Sequence, residues 1–235
     1  MKRILIVILL VASTIKVSAN DLFGFQIGYA QPTTFLNTPN NKNNLIRTQY
    51  NGLKVGLVYD GTIIKGFGFS MGLNYTFGAN ISDWQSIGNF PYPKTCSKSF
   101  YHQIEIPIDW QYKFEIAQNT WVILYTGPTL QCGLDFDKRN FKDNNGKEII
   151  LESDQNLFSV DDMKDYALKR INVTWGVGAG FQYERYFIRG GYDFGIINPY
   201  KAYQFDKVVG EGNPRTRGRF DQWQIKLGMY LWQSK

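Results

Sequence analysis

Between Lys65 and Gly78 the chain alternates without a break. Phe67, Phe69, Met71, Leu73, Tyr75 and Phe77 share one parity, and Gly66, Gly68, Ser70, Gly72, Asn74, Thr76 and Gly78 share the other. A helix repeats its apolar positions every three or four residues, so this text specifies a strand with one large apolar face and one small polar face. The stretch Ile171–Glu184 repeats it, with Val173, Trp175, Val177, Ala179, Phe181 and Tyr183 opposite Asn172, Thr174, Gly176, Gly178, Gly180 and Gln182. Six more strands are expected at Leu22–Ala30, Gly52–Asp60, Tyr101–Phe114, Thr120–Gly133, Tyr186–Ile196 and Asp221–Trp232. Thr120–Gly133 begins apolar on both sides, which leaves its facing open.

The connections sort themselves by length. Short joins (Gly61–Ile64, Glu115–Asn119 and the pair Glu184–Arg185) alternate with long ones before Gly52, over Ala79–Phe100, Leu134–Arg170 and Ile197–Phe220. The long joins carry the Asn-, Pro- and charge-rich text, and Leu134–Arg170 has room for one helical turn or a small hairpin. An even strand count with strict long–short alternation predicts an all-β fold: an eight-stranded antiparallel up-and-down transmembrane β-barrel with short periplasmic turns and long extracellular loops. Eight strands enclose an interior that side chains just fill, which suits the glycine-rich face, whereas the aromatic face suits lipid. Tyr59, Tyr112, Trp121, Tyr183, Tyr186, Trp223 and Trp232, near strand ends, fit interfacial girdles. Pattern alone does not say which face is wet, so a soluble lipocalin-like barrel is the alternative.

The N-terminus argues for export. Lys2 and Arg3 precede the unbroken apolar run Ile4–Ala12, and Val17-Ser18-Ala19 supplies a small-residue cleavage pattern. The run is too short to span a bilayer, which takes about 20 apolar residues. Residues 1–19 are therefore expected to be a signal peptide and 20–235 the barrel domain. Lys2, Arg3 and Lys16 would leave with the signal, so the formal charge falls from +6 by 3 to +3. Lys and Arg are scattered rather than gathered on one face, and no nucleic-acid partner is expected. Outer-membrane lipid or lipopolysaccharide and the barrel-insertion machinery are the partners that this address implies.

Four segments in order carry a family resemblance. Ile104-Glu105-Ile106-Pro107-Ile108, Tyr125-Thr126-Gly127-Pro128, Trp175 to Glu184 and Phe187 to Asn198 resemble the successive strands of PorT-type outer-membrane β-barrel proteins. The resemblance implies an eight-stranded outer-membrane barrel of a Gram-negative cell. It further implies an accessory or docking role in protein export, by type IX secretion, or in envelope assembly, with a secretion or envelope protein as partner. The chain departs from the pattern in reading Gln-Tyr-Glu over Gln182 to Glu184 and in following Trp232 with Gln233-Ser234-Lys235.

Few residues offer chemistry. His102 is the only histidine, and the residue two beyond it is Ile104 rather than a serine nucleophile, so a girdle or rim role is expected and catalysis is not. No phosphate loop, paired-cysteine zinc pattern or acidic calcium loop appears, and no cofactor or metal is expected. The polar parity is richer. Lys54, Asp60, Glu105, Asp109, Lys113, Arg189, Asp193 and Lys226 all fall on the expected inner face. In so narrow a lumen they must pair or hold water, which makes an ionic plug, or else serve a barrel that binds or passes a small ligand or ion. Pro107 and Pro128 cannot donate to the ladder, fall almost opposite each other and predict a local gap or bulge. Cys96 and Cys132, both exported and both on the external side, are expected to form a disulfide.

Overall fold

A computed structural model describes residues 21–37, 45–81, 96–136, 140–142, 148–149, 169–199 and 217–233. The expected signal peptide lies outside them. Among the described residues there are eleven strands: β1 (Leu22–Asn37), β2 (Leu45–Gln49), β3 (Asn51–Ile64), β4 (Phe67–Ile81), β5 (Cys96–Ala117), β6 (Thr120–Phe136), β7 (Asn140–Lys142), β8 (Glu148–Ile149), β9 (Ile171–Tyr183), β10 (Tyr186–Gly195) and β11 (Arg217–Gln233). Eight of them form the wall in the order β4-β3-β1-β11-β10-β9-β6-β5, and the pairing of β4 with β5 closes the ring. Every wall pairing is antiparallel, so the barrel is a simple meander with no open edge.

The alternation decides the facing. Ile27, Leu57, Leu73, Ile108, Val177, Phe181 and Leu227 are each more than 40% exposed, whereas their inward neighbours Gln26, Asn74, Asp109 and Lys226 are buried. An apolar exterior around a polar interior is the inverse of a soluble barrel and suits a bilayer. On β11, Trp223 and Trp232 stand nine residues apart. At about 3.4 Å per residue and a tilt of about 40°, that is roughly 23 Å along the membrane normal, the height of a lipid-facing band of about 25 Å.

The facing of β6 is settled by register. Inward Gln111 pairs with Tyr125 and inward Glu105 with Gln131, and residues directly opposite share a face. Ile123, Tyr125, Thr129 and Gln131 therefore point inward, while Leu124, Leu130 and Cys132 point out.

The two ends differ. At the short-turn end Lys65 and Gly66 take φ of 40° and 84°, Asn119 58° and Glu184 50°. Left-handed residues in two-residue turns match the right-handed twist of the strands they join. Each turn is also tied to the next strand: Lys113 donates its N–H to the Gly66 carbonyl, Glu184 to Asn119 and Tyr230 to Arg185, each at 2.8 Å. At the other end the wall runs past the alternating text. β1 continues beyond Ala30 and pairs with β2 on one side and β11 on the other. β5 begins at Cys96 and carries the β7–β8 hairpin, the hairpin option for the third long connection.

Candidate functional site

All eight charges expected in the lumen face inward, and seven of them are under 8% exposed. They sort into layers that their strand positions alone do not reveal. In the lower layer Asp60 is the hub: its carboxylate accepts from Arg189 Nη2 at 2.5 Å, Lys113 Nζ at 2.9 Å, the Tyr230 hydroxyl at 2.5 Å and the Ser70 hydroxyl at 2.7 Å. Lys113 also donates to Gln182 Oε1 at 3.1 Å. In the upper layer Lys54 donates to Glu105 at 2.5 Å and to Gln224 Oε1 at 2.6 Å. Glu105 also accepts from Thr76 and Gln103, and Gln224 donates to Asp193 at 2.9 Å. Asp109 and Lys226 lie between the layers within each other's electrostatic reach, and among the described residues neither makes an ion pair within 4 Å. Lys226 Nζ instead sits 5.9 Å from the centre of the Tyr125 ring. Here the Tyr125 hydroxyl and Arg189 Nε are buried and have no hydrogen-bond partner among the described residues.

Glycines make this crowding possible. A Cβ on Gly178 would lie 2.2 Å from Tyr125 Cζ, and one on Gly191 would lie 2.6 Å from its hydroxyl. The ring therefore occupies a socket in which only glycine fits on the β9–β10 wall. Gly176 stands in the same relation to the Asp193 carboxylate, 2.6 Å from a built Cβ.

Apolar layers close the polar lumen at both ends. Toward the long loops, Tyr50, Tyr101 and Phe220 are each 5% exposed or less, with ring centres 5.8 and 5.7 Å apart in sequence. A cavity of about 20 Å³ lies beside Tyr101 and Phe220, room for about one water molecule. Toward the short turns, Leu22, Val58, Phe187 and Tyr230 form a buried cluster. Below it opens a cup of about 710 Å³ whose lining includes Lys65, Lys113, Glu115, Glu184 and Arg185.

The ladder breaks where the prolines stand. Between β5 and β6 the pairing passes from Pro107–Thr129 to Trp110–Thr126, and between β4 and β5 from Met71–Ile108 to Asn74–Glu105. Pro107 faces the lumen and Pro128 the exterior.

The two cysteines do not come together. Cys132 is an exposed free thiol opposite Ile104, eight positions along β5 from Cys96. At about 3.3 Å per residue that is roughly 26 Å, against the 7 Å that a disulfide allows. The expected bridge fails because β5 continues upward from Tyr101 to Cys96 as a paired strand, which holds the two positions apart.

His102 lies on β5 opposite Phe77, with its Nδ1 2.6 Å from the Tyr75 hydroxyl and its ring 4.9 Å from that of Phe77. Among the described residues no group of three His, Cys, Asp or Glu is placed to hold a metal ion. Tyr230, Tyr125, Gln103, Gln222 and Gln224 belong to the lumen network and escaped the sequence reading. Their inward parity was the available signal, but an amide or phenol does not announce itself as a charge does.

Residues 18–200 match the family described as outer membrane protein beta-barrel domain. No curated protein matches the chain. Among solved structures it is similar to Ail, the attachment invasion locus protein of Yersinia pestis, at 12% identity over 91% of this chain and 99% of that one, with a TM-score of 0.38. Neisserial surface protein A matches at 11% identity over 87% and 96%, TM-score 0.40, and the outer membrane protease OmpT of Escherichia coli at 8% over 93% and 99%, TM-score 0.42. A closed antiparallel meander of eight strands, apolar outside and polar within, is thus joined to a match over most of the sequence, and the chain belongs to the outer membrane protein beta-barrel domain family and resides in the outer membrane.

Proposed function

We propose that this barrel is not an enzyme and works through its rims, as an accessory or docking component of protein export of the PorT, type IX kind or of envelope assembly. The observation that carries the reading is the filled lumen. An ion network fills it and apolar layers close both ends, which points to the long-loop wall and the periplasmic cup as the surfaces that meet a protein partner. The order of the Ile104–Ile108, Tyr125–Pro128, Trp175–Glu184 and Phe187–Asn198 segments supports the PorT-type assignment. The cup is of a size to admit a side chain or loop from a periplasmic partner, and its mixed Lys, Arg and Glu lining suits a polar contact. His102 is engaged by Tyr75 and Phe77, which supports a rim role for it.

The test is a deletion strain whose surface and secreted proteomes are profiled, paired with photo-crosslinkers at Lys65 and Arg185. Loss of a set of surface proteins together with a crosslinked envelope partner supports docking. An unchanged surface proteome with no crosslink sinks it. A second reading, a barrel that binds or passes a small ligand or ion, draws on Asp109, Lys226 and the unpartnered Tyr125 hydroxyl in mid-lumen. Reproducible single-channel steps in planar bilayers would favour it over docking.

A further inference from the structure

One sector of the outer wall is more than a smooth apolar face. Ile27, Tyr29, Leu53, Ile188, Ile225 and Leu227, from β1, β3, β10 and β11, line an apolar groove of about 600 Å³ in the lipid-facing surface. Gly190, paired with Ile225, leaves the β10 side of that sector open, since a Cβ there would meet no atom closer than 3.9 Å. At the external end of the groove the surface changes character. The Trp223 and Tyr29 rings pack at 5.1 Å, and Trp223 Nε1 donates to Gln31 Oε1 at 2.6 Å. The Tyr29 hydroxyl donates to Asn51 Oδ1, which leaves the amide nitrogen of exposed Asn51 as a donor. Above this, on the same face of β11, Arg219 is 53% exposed along its side chain. Its guanidinium is held 5.1 Å over the Phe35 ring and bends toward the membrane to meet Asp221, two residues lower, at 2.7 Å. Asp221 is itself fixed by the Tyr192 hydroxyl and the Gly195 N–H.

From bottom to top this column offers an acyl-sized apolar slot, amide and aromatic groups at interfacial depth, and an oriented guanidinium at headgroup depth. Ile225 to Arg219 is six residues, about 20 Å along the strand and roughly 15 Å along the normal at a tilt of about 40°. That is the reach from the outer acyl region to the phosphates, and guanidinium forks bind phosphate oxygens well. We propose that the β10–β11–β1–β3 column seats one phosphate-bearing, acylated lipid of the outer leaflet, with a chain in the groove and its phosphate on Arg219. The lipid belt that covers the whole exterior is continuous with this seat, and the seat differs in holding its lipid longer.

The test uses the full-length barrel in detergent, incubated with bis-phosphorylated lipid A and read by native mass spectrometry. Wild type is expected to retain one lipid A under activation that strips other lipids. Arg219→Ala and Leu53→Trp are each expected to lower the retained fraction about ten-fold, and dephosphorylated lipid A is expected to bind wild type as lipid A binds Arg219→Ala. Leu53 is 53% exposed, so the larger ring fills the groove without entering the core. Ile108→Trp, at an equally exterior site on β5 across the barrel, is the folded control and is expected to bind as wild type. Equal retention by Arg219→Ala, Leu53→Trp and wild type overturns the proposal, as does equal loss in Ile108→Trp.

Discussion

Replacing Asp60 with Asn changes the lumen at its hub and nowhere else. The amide keeps the shape of the carboxylate: with its oxygen in the Oδ2 place it still accepts from Tyr230, while its NH2 faces the Ser70 hydroxyl, which must turn to accept, and the negative charge that Arg189 and Lys113 share is gone. Lys113 then retains Gln182 as an acceptor and Arg189 retains Ser70 and the Tyr230 oxygen, so two buried cations are left with neutral partners only. Breaking a buried pair from one side costs about 3–5 kcal/mol, and hydrogen bonds to charged groups are worth about 1.5–3 kcal/mol each. The expected loss is therefore about 3–5 kcal/mol, a shift in the folding equilibrium of roughly a hundred- to a few thousand-fold. Urea-dependent folding into phospholipid vesicles, followed by gel mobility without heating and by tryptophan fluorescence, measures it. The triple replacement Asp60→Leu, Lys113→Met, Arg189→Met removes the charges together and is expected to recover most of the loss, since the cost lies in the orphaned cations. An Asp60→Asn barrel within about 1 kcal/mol of wild type would refute the reasoning, for that is the worth of a solvated pair.

Further outcomes follow from other parts of the wall. Gly178→Ala is expected to cost about 1–3 kcal/mol by driving a methyl into the Tyr125 ring, and Tyr125→Ala in the same chain should return part of it; additive losses in the vesicle assay would count against the socket. Alkylation without reductant is expected to add two labels by intact mass, because the register holds Cys96 and Cys132 apart, and an unlabelled pair would contradict that register. The unheated protein is expected to run faster than the boiled one on a denaturing gel, since the closed ring pairs its backbone all round; identical mobility would speak against closure.

The alternation made the eight wall strands legible because each crosses a bilayer, where one face must be apolar along its whole length. It stopped being informative where that constraint ends. β1 past Ala30, β5 before Tyr101 and β11 before Asp221 rise beyond the lipid belt, so they are paired strands whose sequence lacks the run of alternating large apolar residues. The inward parity of the lumen charges was legible for the same reason. Their partners were not: Arg189 meets Asp60 across 129 positions and Lys54 meets Glu105 across 51, distances set by strand stagger that no local text encodes. The cysteine pair failed on the same ground, since a count of two says nothing about height on the wall.

The double closure of the lumen bears on how many copies a cell can carry. A porin trades uptake against entry of toxic solutes, so its copy number is tied to the permeability of the envelope. In this barrel Tyr50, Tyr101 and Phe220 at one end and Leu22, Val58, Phe187 and Tyr230 at the other separate the polar interior from both compartments. On the docking role proposed above, its abundance is then decoupled from solute leak through the lumen, and expression can follow the demand for its rims.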